Sequence, residues 1–203
     1  MASPRRLLIV LGQGRTQGLA HHLLGVVMDA LAGLAVETRL HDLLADGFDP
    51  VLRLRVDQPS AEALDPKADP LVAGYQADVR WASHMVIIHP VWWFAPPAIL
   101  KGWVDRVLAG GVALDHGTEP PRGLLGGRRA LVLQTFKASS SVDRWVMGGI
   151  SGKFWKRAVF PSVGIQSSTV LNLHAAQKPW GARLETFERR VRKELTHLVA
   201  STN

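Results

Sequence analysis

The feature that most constrains the fold is a pair of short apolar runs without a polar interruption. The first run covers residues 7–11 and the second covers residues 85–88. A strand that is apolar at every position must be buried on both faces, as parallel strands covered by helices are. Apolar residues at helical spacing follow in residues 19–31 and again in residues 184–200. The sequence therefore predicts a parallel sheet with helices on both faces.

The remaining elements can be placed from apolar spacing and from the turn residues at their ends. Strands are predicted at residues 6–11, 36–40, 84–89, 129–135 and within 163–173. Helices are predicted at residues 19–31, 70–83, 97–109, 154–160 and 184–200, the second of them capped by Asp69 and started by Pro70. Strands and helices alternate without an internal repeat or a linker. We therefore expect one α/β domain over residues 1–203.

Composition excludes several classes of function. The formal net charge is +7, but the basic residues are spread along the chain and form no aromatic-lined stripe, so we predict no nucleic-acid binding. The chain has no cysteine, and its eight histidines lack metal-binding spacing, so we predict no disulfide and no metal site. No apolar stretch approaches the roughly 20 residues of a transmembrane segment. A cytoplasmic protein is the simplest interpretation.

A loop of aromatic residues follows the second apolar run. His89 and Pro90 end the predicted strand, Trp92, Trp93 and Phe94 come next, and a helix restarts after two more prolines. In an open parallel sheet this turn lies at the carboxyl edge, where such folds bind ligands. Three rings in a row suit a flat ring-shaped ligand whose polar edge meets backbone amides. The alternative is that the rings cap the core or fill an interface.

Two segments resemble a known family. Residues 97–107 read Pro-Ala-Ile-Leu-Lys-Gly-Trp-Val-Asp-Arg-Val, and residues 42–51 read Asp-Leu-Leu-Ala-Asp-Gly-Phe-Asp-Pro-Val. Both resemble the flavin-dependent NAD(P)H:quinone oxidoreductases of flavodoxin-like fold, of the DT-diaphorase and modulator-of-drug-activity type. The resemblance covers roughly residues 5–135. It implies a doubly wound sheet of five parallel strands in the order 2-1-3-4-5, and a homodimer with its site near the subunit interface.

The first strand is followed by a glycine-rich turn at residues 12–18, spelled G-x-G-x-x-x-G. A Rossmann dehydrogenase would place a pyrophosphate here and an acidic residue about 20 positions later. Glu37 is the only acid near that distance, but it lies inside a predicted strand rather than at its end. Glycine-rich turns occur in most doubly wound folds, because the backbone must turn sharply there. This motif alone is therefore weak support for a Rossmann dehydrogenase.

In the resembling family the same turn carries a His-Pro…Ser-Phe-Asn pattern that holds the flavin phosphates. Aligned with it, Gln13 takes the histidine position, Gly18 the serine, Leu19 the phenylalanine and Ala20 the asparagine. The polar side-chain partners are therefore changed or lost. Backbone amides at the helix N-terminus still suit a phosphate, and the side chains of residues 15 and 16 are candidates to compensate.

The fourth strand is followed by Thr-Phe-Lys-Ala at residues 135–138, where the family has Thr-Thr-Gly-Gly. Lys137 would stabilise the negative charge of a reduced flavin, although a solvent-facing lysine is the simpler interpretation. Some family members use a tyrosine and a histidine further on to assist hydride transfer. Asp143 aligns with that tyrosine, and no histidine matches. We therefore assign no catalytic acid or base.

The resemblance implies cofactor-binding residues in three loops. They are Gln13, Thr16, Gly18, Leu19 and Ala20; Pro90, Val91, Trp92, Trp93 and Phe94; and Thr135, Phe136, Lys137 and Ala138. Trp145 and Trp155 are predicted to serve packing, and His89 is predicted to have a structural role.

Two functional hypotheses stay open. The first is an NAD(P)H-dependent flavin oxidoreductase that reduces quinones or similar acceptors by two-electron, ping-pong hydride transfer, with FAD favoured and FMN as the alternative. The second is an ancillary subunit with weak or no flavin binding, like relatives that regulate a potassium efflux system. The changed phosphate loop favours the second hypothesis, and the retained aromatic loop favours the first.

Overall fold

Five parallel strands form the central sheet of the structure, a computed structural model that describes residues 5–54, 69–177 and 179–200. Numbered along the chain, they are β1 (Arg5–Leu11), β2 (Val36–Asp42), β3 (His84–Pro90), β6 (Arg129–Thr135) and β7 (Ser167–Leu173). Two short strands, β4 (Leu114–Asp115) and β5 (Arg122–Gly123), pair with each other outside this sheet. The spatial order is β2-β1-β3-β6-β7. Without the short pair this is 2-1-3-4-5, so the predicted flavodoxin-like topology is confirmed.

Helices cover both faces of the sheet. One face carries α1 (Leu19–Leu31) and α6 (Gly181–Ala200), and the other carries α2 (Pro70–Trp81) and α3 (Ala98–Val107). Alternate residues of β1 enter the two opposite cores, and all of residues 7–11 are buried. Both faces of this strand therefore need apolar side chains, as the uninterrupted run in the sequence predicts.

The predicted element boundaries agree with the structure to within three residues, with one change of helix type. α3 is shorter at both ends than the predicted helix at 97–109, and α6 begins before residue 184. The predicted helix at 154–160 is a π-helical segment, Phe154–Val159, between two short helices, α4 (Ile150–Lys153) and α5 (Phe160–Ser162). Within the described residues, no helix combines the length and apolarity needed to cross a membrane.

The N-terminus of α2 is closed by side chains. Oδ1 of Asp69 accepts a hydrogen bond from the backbone amide of Val72 at 3.1 Å, and Pro70 occupies the first helical position. The second carboxylate oxygen of Asp69 lies 2.5 Å from Nη2 of Arg106 on α3. The predicted cap is therefore confirmed, and it also joins α2 to α3.

Close backbone approach explains the glycine inside α3. A Cβ at Gly102 would lie 2.2 Å from the carbonyl oxygen of Pro50, so any side chain would push the two segments apart. Gly12, at the end of β1, is constrained in the same way, because a Cβ there would lie 2.6 Å from the Cβ of Leu100. These two contacts fix α3 against the sheet beside the loop that follows β1.

Candidate functional site

Three loops meet around one cavity at the carboxyl edge of the sheet. They follow β1, β3 and β6, which are neighbouring strands whose ends lie side by side. The cavity has a volume of about 610 Å³, within the range of small-molecule sites. It is lined by Gln13, Gly14, Arg15, Gln17, Gly18, Leu19 and Ala20, by Pro90, Val91, Trp92, Trp93 and Phe94, by Thr135, Phe136, Lys137 and Ala138, and by Ala176.

The structure brings together the residues assigned by resemblance, except Thr16, which does not line the cavity. The cavity is also lined by Gly14, Arg15 and Gln17, which are neighbours of the assigned residues in the loop after β1. Ala176 comes from the segment after β7, and its amide donates a hydrogen bond to the carbonyl oxygen of Phe136 at 2.8 Å. No local pattern in the sequence points to Ala176, because only the folded sheet places this segment beside the loop after β6.

The first loop presents the N-terminus of α1 to the cavity. Gly18 is the N-cap residue, and no side chain caps this helix. The φ angle of Gly18 is 146°, a conformation that L-residues rarely adopt, and a Cβ there would touch nothing within 4 Å. Gly18 is therefore required by the backbone conformation rather than by lack of space. Uncapped amides at a helix N-terminus, in a cavity that Arg15 also lines, form a site suited to an anion.

Behind this loop, Gln13 is 4% exposed although it lines the cavity. Its Nε2 contacts Nδ1 of His21 in the first turn of α1. The other ring nitrogen of His21 lies 3.6 Å from Oδ2 of Asp42, at the end of β2. The position that holds a histidine in the resembling family is thus a glutamine that contacts a histidine from the next helix.

The aromatic loop is a tight turn with two residues in the left-handed region. The backbone groups of Trp92 and Ala95 exchange hydrogen bonds of 3.0 Å in both directions. Between them, Trp93 and Phe94 have φ angles of 52° and 58°. Non-glycine residues adopt such angles at an energetic cost, and positions of this kind concentrate at functional sites. Trp93 is 97% exposed.

The second and third loops are attached to each other and to the first. The amide of Val91 donates to the carbonyl oxygen of Thr135 at 2.8 Å, which ties the aromatic loop to the end of β6. A Cβ at Gly14 would lie 3.2 Å from the Trp92 ring, so that ring covers the first loop closely. Lys137 is exposed at the cavity rim. The cavity wall is therefore continuous across the three strand ends.

His89 anchors the aromatic loop from inside the protein and is fully buried. Its Nδ1 donates to the carbonyl oxygen of Pro90 at 2.8 Å, and its Nε2 accepts from Nε1 of Trp155 at 3.0 Å and from Nε2 of Gln134 at 3.1 Å. Two donors at Nε2 require the neutral imidazole. Burial accordingly lowers the pKa of His89 to about 4, while the hydrogen bond to Pro90 opposes this shift. The structural role predicted for His89 is confirmed.

Asp143 has a histidine partner that the sequence did not indicate. Nε2 of His174 lies 2.9 Å from Oδ2 of Asp143, and the ring of His174 lies 4.7 Å from that of Phe136. Asp143 is 4% exposed, and its Oδ1 has no hydrogen-bond partner among the described residues. His174 follows β7, so only the pairing of β6 with β7 brings it here. The pair lies behind Phe136 and does not line the cavity.

The two tryptophans predicted to serve packing have opposite environments. Trp155 is fully buried, in agreement with the prediction. Trp145 is 80% exposed, so a packing role within the chain is wrong for this residue. It lies in a π-helical turn, Val142–Val146, that turns Trp145 and the neighbouring Val146 towards solvent. Sequence alone could not separate them, since both are large apolar residues and the segment around Trp145 has no clear periodicity.

The residues present fit a flavin. The uncapped N-terminus of α1 offers backbone donors to a phosphate, and Arg15 adds a positive charge. The aromatic loop offers flat apolar surface, and both it and the loop after β6 offer backbone groups to the polar edge of a ring system. The fit lacks polar side chains at Gly18 and Ala20, so backbone amides must carry most of the phosphate contact.

Comparison with known proteins agrees with this geometry. A family model described as flavodoxin-like fold matches residues 5–195. NAD(P)H dehydrogenase (quinone) 1 of Cavia porcellus is 28% identical over 166 residues, which are 75% of this chain and 60% of that protein. For the next two curated relatives, the matches span 31% and 59% of their own lengths. The matches thus span less than two thirds of the length of each of these three relatives.

Two solved structures have a similar fold. The crystal structure of Smu.1420 from Streptococcus mutans UA159 has a TM-score of 0.80 at 25% identity, covering 95% of this chain and 99% of that one. An FMN-dependent NADH-azoreductase from Bacillus anthracis, solved in complex with FMN, has a TM-score of 0.73 at 18% identity, covering 96% and 100%. Since the family model covers nearly the whole chain, the chain belongs to the flavodoxin-like family that includes the NAD(P)H:quinone oxidoreductases, as residues 97–107 predict.

Proposed function

We propose that the chain is a flavin-dependent NAD(P)H oxidoreductase that reduces quinones or similar acceptors. The observation that carries this proposal is the single cavity in which an uncapped helix N-terminus and a preformed aromatic turn face the same space. The names of the curated quinone dehydrogenases support the same conclusion. In this proposal, residues 1–203 work as one domain.

The loop after β1 would hold the flavin phosphate. The amides at the start of α1 and the side chain of Arg15 supply the donors and the positive charge. The aromatic turn at residues 91–94 and residues 135–138 would hold the ring system from two sides. Lys137 at the rim would favour negative charge on the bound ring, with a small effect because it is exposed to solvent.

A flavin bound here supplies the hydride-accepting ring and passes two electrons onward. Trp93 lines the cavity and is 97% exposed. In this proposal a nicotinamide and then an acceptor would occupy the same place beside it in turn. This shared place favours ping-pong kinetics. The buried hydrogen bonds of His89 would hold the aromatic turn in place both while the flavin is reduced and while it is reoxidised.

We propose FAD as the preferred flavin, with FMN as the alternative. A cleft of about 260 Å³ adjoins the main cavity at Ala176 and is lined by Trp180 and Arg183, which suit an aromatic base and an anionic group. FMN is favoured instead by the similar fold of the FMN-dependent azoreductase.

A homodimer belongs to the same proposal. Trp145, Val146 and Ile150 are 80%, 73% and 52% exposed, and such large apolar side chains are usually covered by a partner. A second copy of the chain is the partner expected from the family. The mass in solution, measured by light scattering for the wild type and for Trp145→Ser, tests this: the wild type should be dimeric and the variant should dissociate more readily.

The visible absorbance spectrum tests the enzyme hypothesis. Protein mixed with excess FAD or FMN and then desalted should keep a flavin band that NADPH or NADH bleaches and a quinone restores. A folded protein that retains neither flavin would contradict the proposal. It would favour the ancillary-subunit hypothesis, which the absence of polar side chains at Gly18 and Ala20 supports.

A further inference from the structure

Five arginines from three separate parts of the sequence lie together at the amino edge of the sheet, opposite the cavity. Arg5 and Arg6 begin β1, Arg129 begins β6, and Arg128 precedes it. Arg80 lies in the last turn of α2, where its carbonyl oxygen accepts a hydrogen bond from Nη2 of Arg128 at 3.1 Å. These five residues are called the amino-edge arginines below.

The charges of the amino-edge arginines act on one another and on a common neighbour. His84 begins β3, which lies between β1 and β6, and it is buried. Burial lowers the pKa of His84, and the charges of Arg5 and Arg129 lower it further. Burial likewise lowers the pKa of Arg128, with a further contribution from the charge of Arg6. The fold therefore concentrates positive charge that the sequence distributes along the chain.

Neutral groups hold the amino-edge arginines in place. Nη2 of Arg5 donates to the carbonyl oxygen of Ala200 at 3.1 Å, and Nη2 of Arg80 donates to that of Gly111 at 3.2 Å. Within residues 5–54, 69–177 and 179–200, none of the five forms an ion pair with a carboxylate. Other basic side chains have such partners, in the pairs Arg39–Asp78, Arg53–Asp49, Lys101–Asp105, Arg106–Asp69 and Arg122–Asp115. The charge of the edge is therefore left for an anionic partner.

Two carboxylates come near this edge without cancelling its charge. Glu37 on β2 is in register with Arg6, and Glu194 on α6 lines a small hollow together with Arg129. Neither carboxylate forms an ion pair within the part of the chain that the structure describes. Even with both of them counted, the edge stays positive.

Two exposed leucines accompany the arginines. Leu34 is 43% exposed and lies two residues before β2, at the amino end of that strand. Leu124 is 37% exposed, and its amide donates to the carbonyl oxygen of Ala113 at 2.9 Å, two residues beyond the Gly111 that Arg80 contacts. Basic side chains that meet anionic headgroups, together with apolar side chains that enter the interface, suit the surface of an anionic membrane.

A nucleic acid fits this edge less well. Trp81, at the end of α2, lies beside the arginines, and the guanidinium carbons of Arg6 and Arg39 lie over its ring, 6.0 Å and 4.2 Å from the centroid. This ring is therefore engaged by arginines and is not offered to a nucleic-acid base. The exposed leucines likewise have no use against a phosphate backbone.

We propose that the amino-edge arginines, together with Leu34 and Leu124, form a docking surface for an anionic phospholipid membrane. The seven-residue strands separate this edge from the cavity by about 20 Å, so the docked protein keeps its cavity turned towards water. None of the docking residues lines the cavity, so the surface does not depend on the proposed function.

Vesicle sedimentation tests the docking surface. The wild type, Arg6→Gln/Arg80→Gln and Arg189→Gln/Arg190→Gln are mixed with vesicles of phosphatidylcholine alone or of phosphatidylcholine with phosphatidylglycerol, at low and at physiological salt. All four arginines are exposed, and the second pair lies in the middle of α6, so both variants lose the same charge. A DNA duplex is titrated in parallel, and thermal unfolding checks that each variant is folded.

The wild type should sediment with the anionic vesicles and not with the neutral ones, and binding should weaken as the salt concentration rises. Arg6→Gln/Arg80→Gln should lower the partition coefficient by roughly 25-fold, about fivefold for each arginine. The variant on α6 should stay close to the wild type.

The leucines are tested by a second matched pair. Leu34→Ser should weaken binding to the anionic vesicles. Leu54→Ser, which removes an equally exposed leucine from the segment after β2, should not. Equal behaviour of these two variants would contradict the part assigned to Leu34.

Equal losses in the two arginine variants would overturn the docking surface, because net charge alone would then explain binding. Equally tight binding to neutral and anionic vesicles would overturn it as well, and so would the absence of binding to either. If the two arginine variants differ only in binding the DNA duplex, the edge is a nucleic-acid surface and the proposal is wrong.

Discussion

The N-termini of α1 and α2 are built in opposite ways. α2 begins with a capping Asp69, a proline at its first position and an ion pair to Arg106, so its end is closed. α1 begins at Gly18 with no side-chain cap and opens into the cavity. The two helices lie on opposite faces of one sheet, yet only one end is completed. What distinguishes the start of α1 is that its open end faces the cavity, where backbone amides can meet an anion.

The largest loss of stability is expected at the N-terminus of α2, whose end is closed by Asp69 and Arg106. Arg106→Met should lower the free energy of unfolding by about 3 kcal/mol, because it leaves the carboxylate of Asp69 without its ion-pair partner and the carbonyl oxygen of Asp49 without a donor. Urea unfolding measures this change. Arg189→Met is the control, since Arg189 is exposed on α6 and bonds only to Thr186 among the described residues. Flavin affinity should be the same in both variants, and a loss confined to affinity would contradict the assignment.

A smaller loss of stability is expected when the pH is lowered. Burial lowers the pKa of His89 from 6.5 to about 4, so the unfolded chain takes up a proton before the folded protein does. The free energy of unfolding is therefore unaffected by this group above pH 6.5, and it should fall by about 3 kcal/mol or less as the pH drops from 6.5 to 4. Burial also lowers the pKa values of His41 and His84, which adds to the loss.

His89→Gln isolates the contribution of His89. Its stability should depend less on pH in this range, whereas replacement of the exposed His116 by Gln should leave the wild-type profile. Chemical unfolding at a series of pH values measures both variants. Parallel profiles for the wild type and His89→Gln would contradict the assignment of this pH dependence to His89.

The open end of α1 can be probed with a pair of glycines. Gly18→Ala should lower the free energy of unfolding by about 2 kcal/mol and weaken binding of phosphorylated flavin, because φ at this position is 146°. Gly25→Ala, in the exposed middle of the same helix, should raise it by about 0.5–1 kcal/mol and leave binding unchanged. Thermal unfolding and flavin titration measure both. Equal changes in stability and in flavin binding for the two variants would contradict a specific role of the N-terminus of α1.

The smallest effect on stability is expected at Arg15. Arg15→Gln should leave the unfolding temperature unchanged, since the residue is exposed, but should weaken FAD or FMN binding by roughly tenfold. Riboflavin binding should not change, because it lacks the phosphate. A parallel loss of riboflavin affinity would place Arg15 near the ring system instead.

The fold could be predicted because its signals are local. Apolar runs, the Asp69-Pro70 start and the turn glycines each depend on a few neighbouring residues. The three loops of the cavity could be predicted as well, because adjacent parallel strands end at one edge. The positions of these three loops follow from the order of the strands in the sheet.

The side-chain networks behind the cavity could not be predicted. Gln13 and His21 belong to different elements, and Asp143 meets His174 only because β6 pairs with β7. The exposure of Trp145 depends on a π-helical turn that has no clear sequence pattern. These features depend on distances between elements, which the spacing of residues along the chain does not contain.

The turn between Trp92 and Ala95 has a consequence for how the protein can change over time. Its shape is held by two backbone hydrogen bonds and by the buried contacts of His89, none of which uses the rings of Trp93 and Phe94. The identity of these rings is therefore separable from the shape of the loop. Substitutions there can alter which molecules enter without redesigning the scaffold, so the turn gives natural selection, or an engineer, a place to vary substrate preference independently of folding.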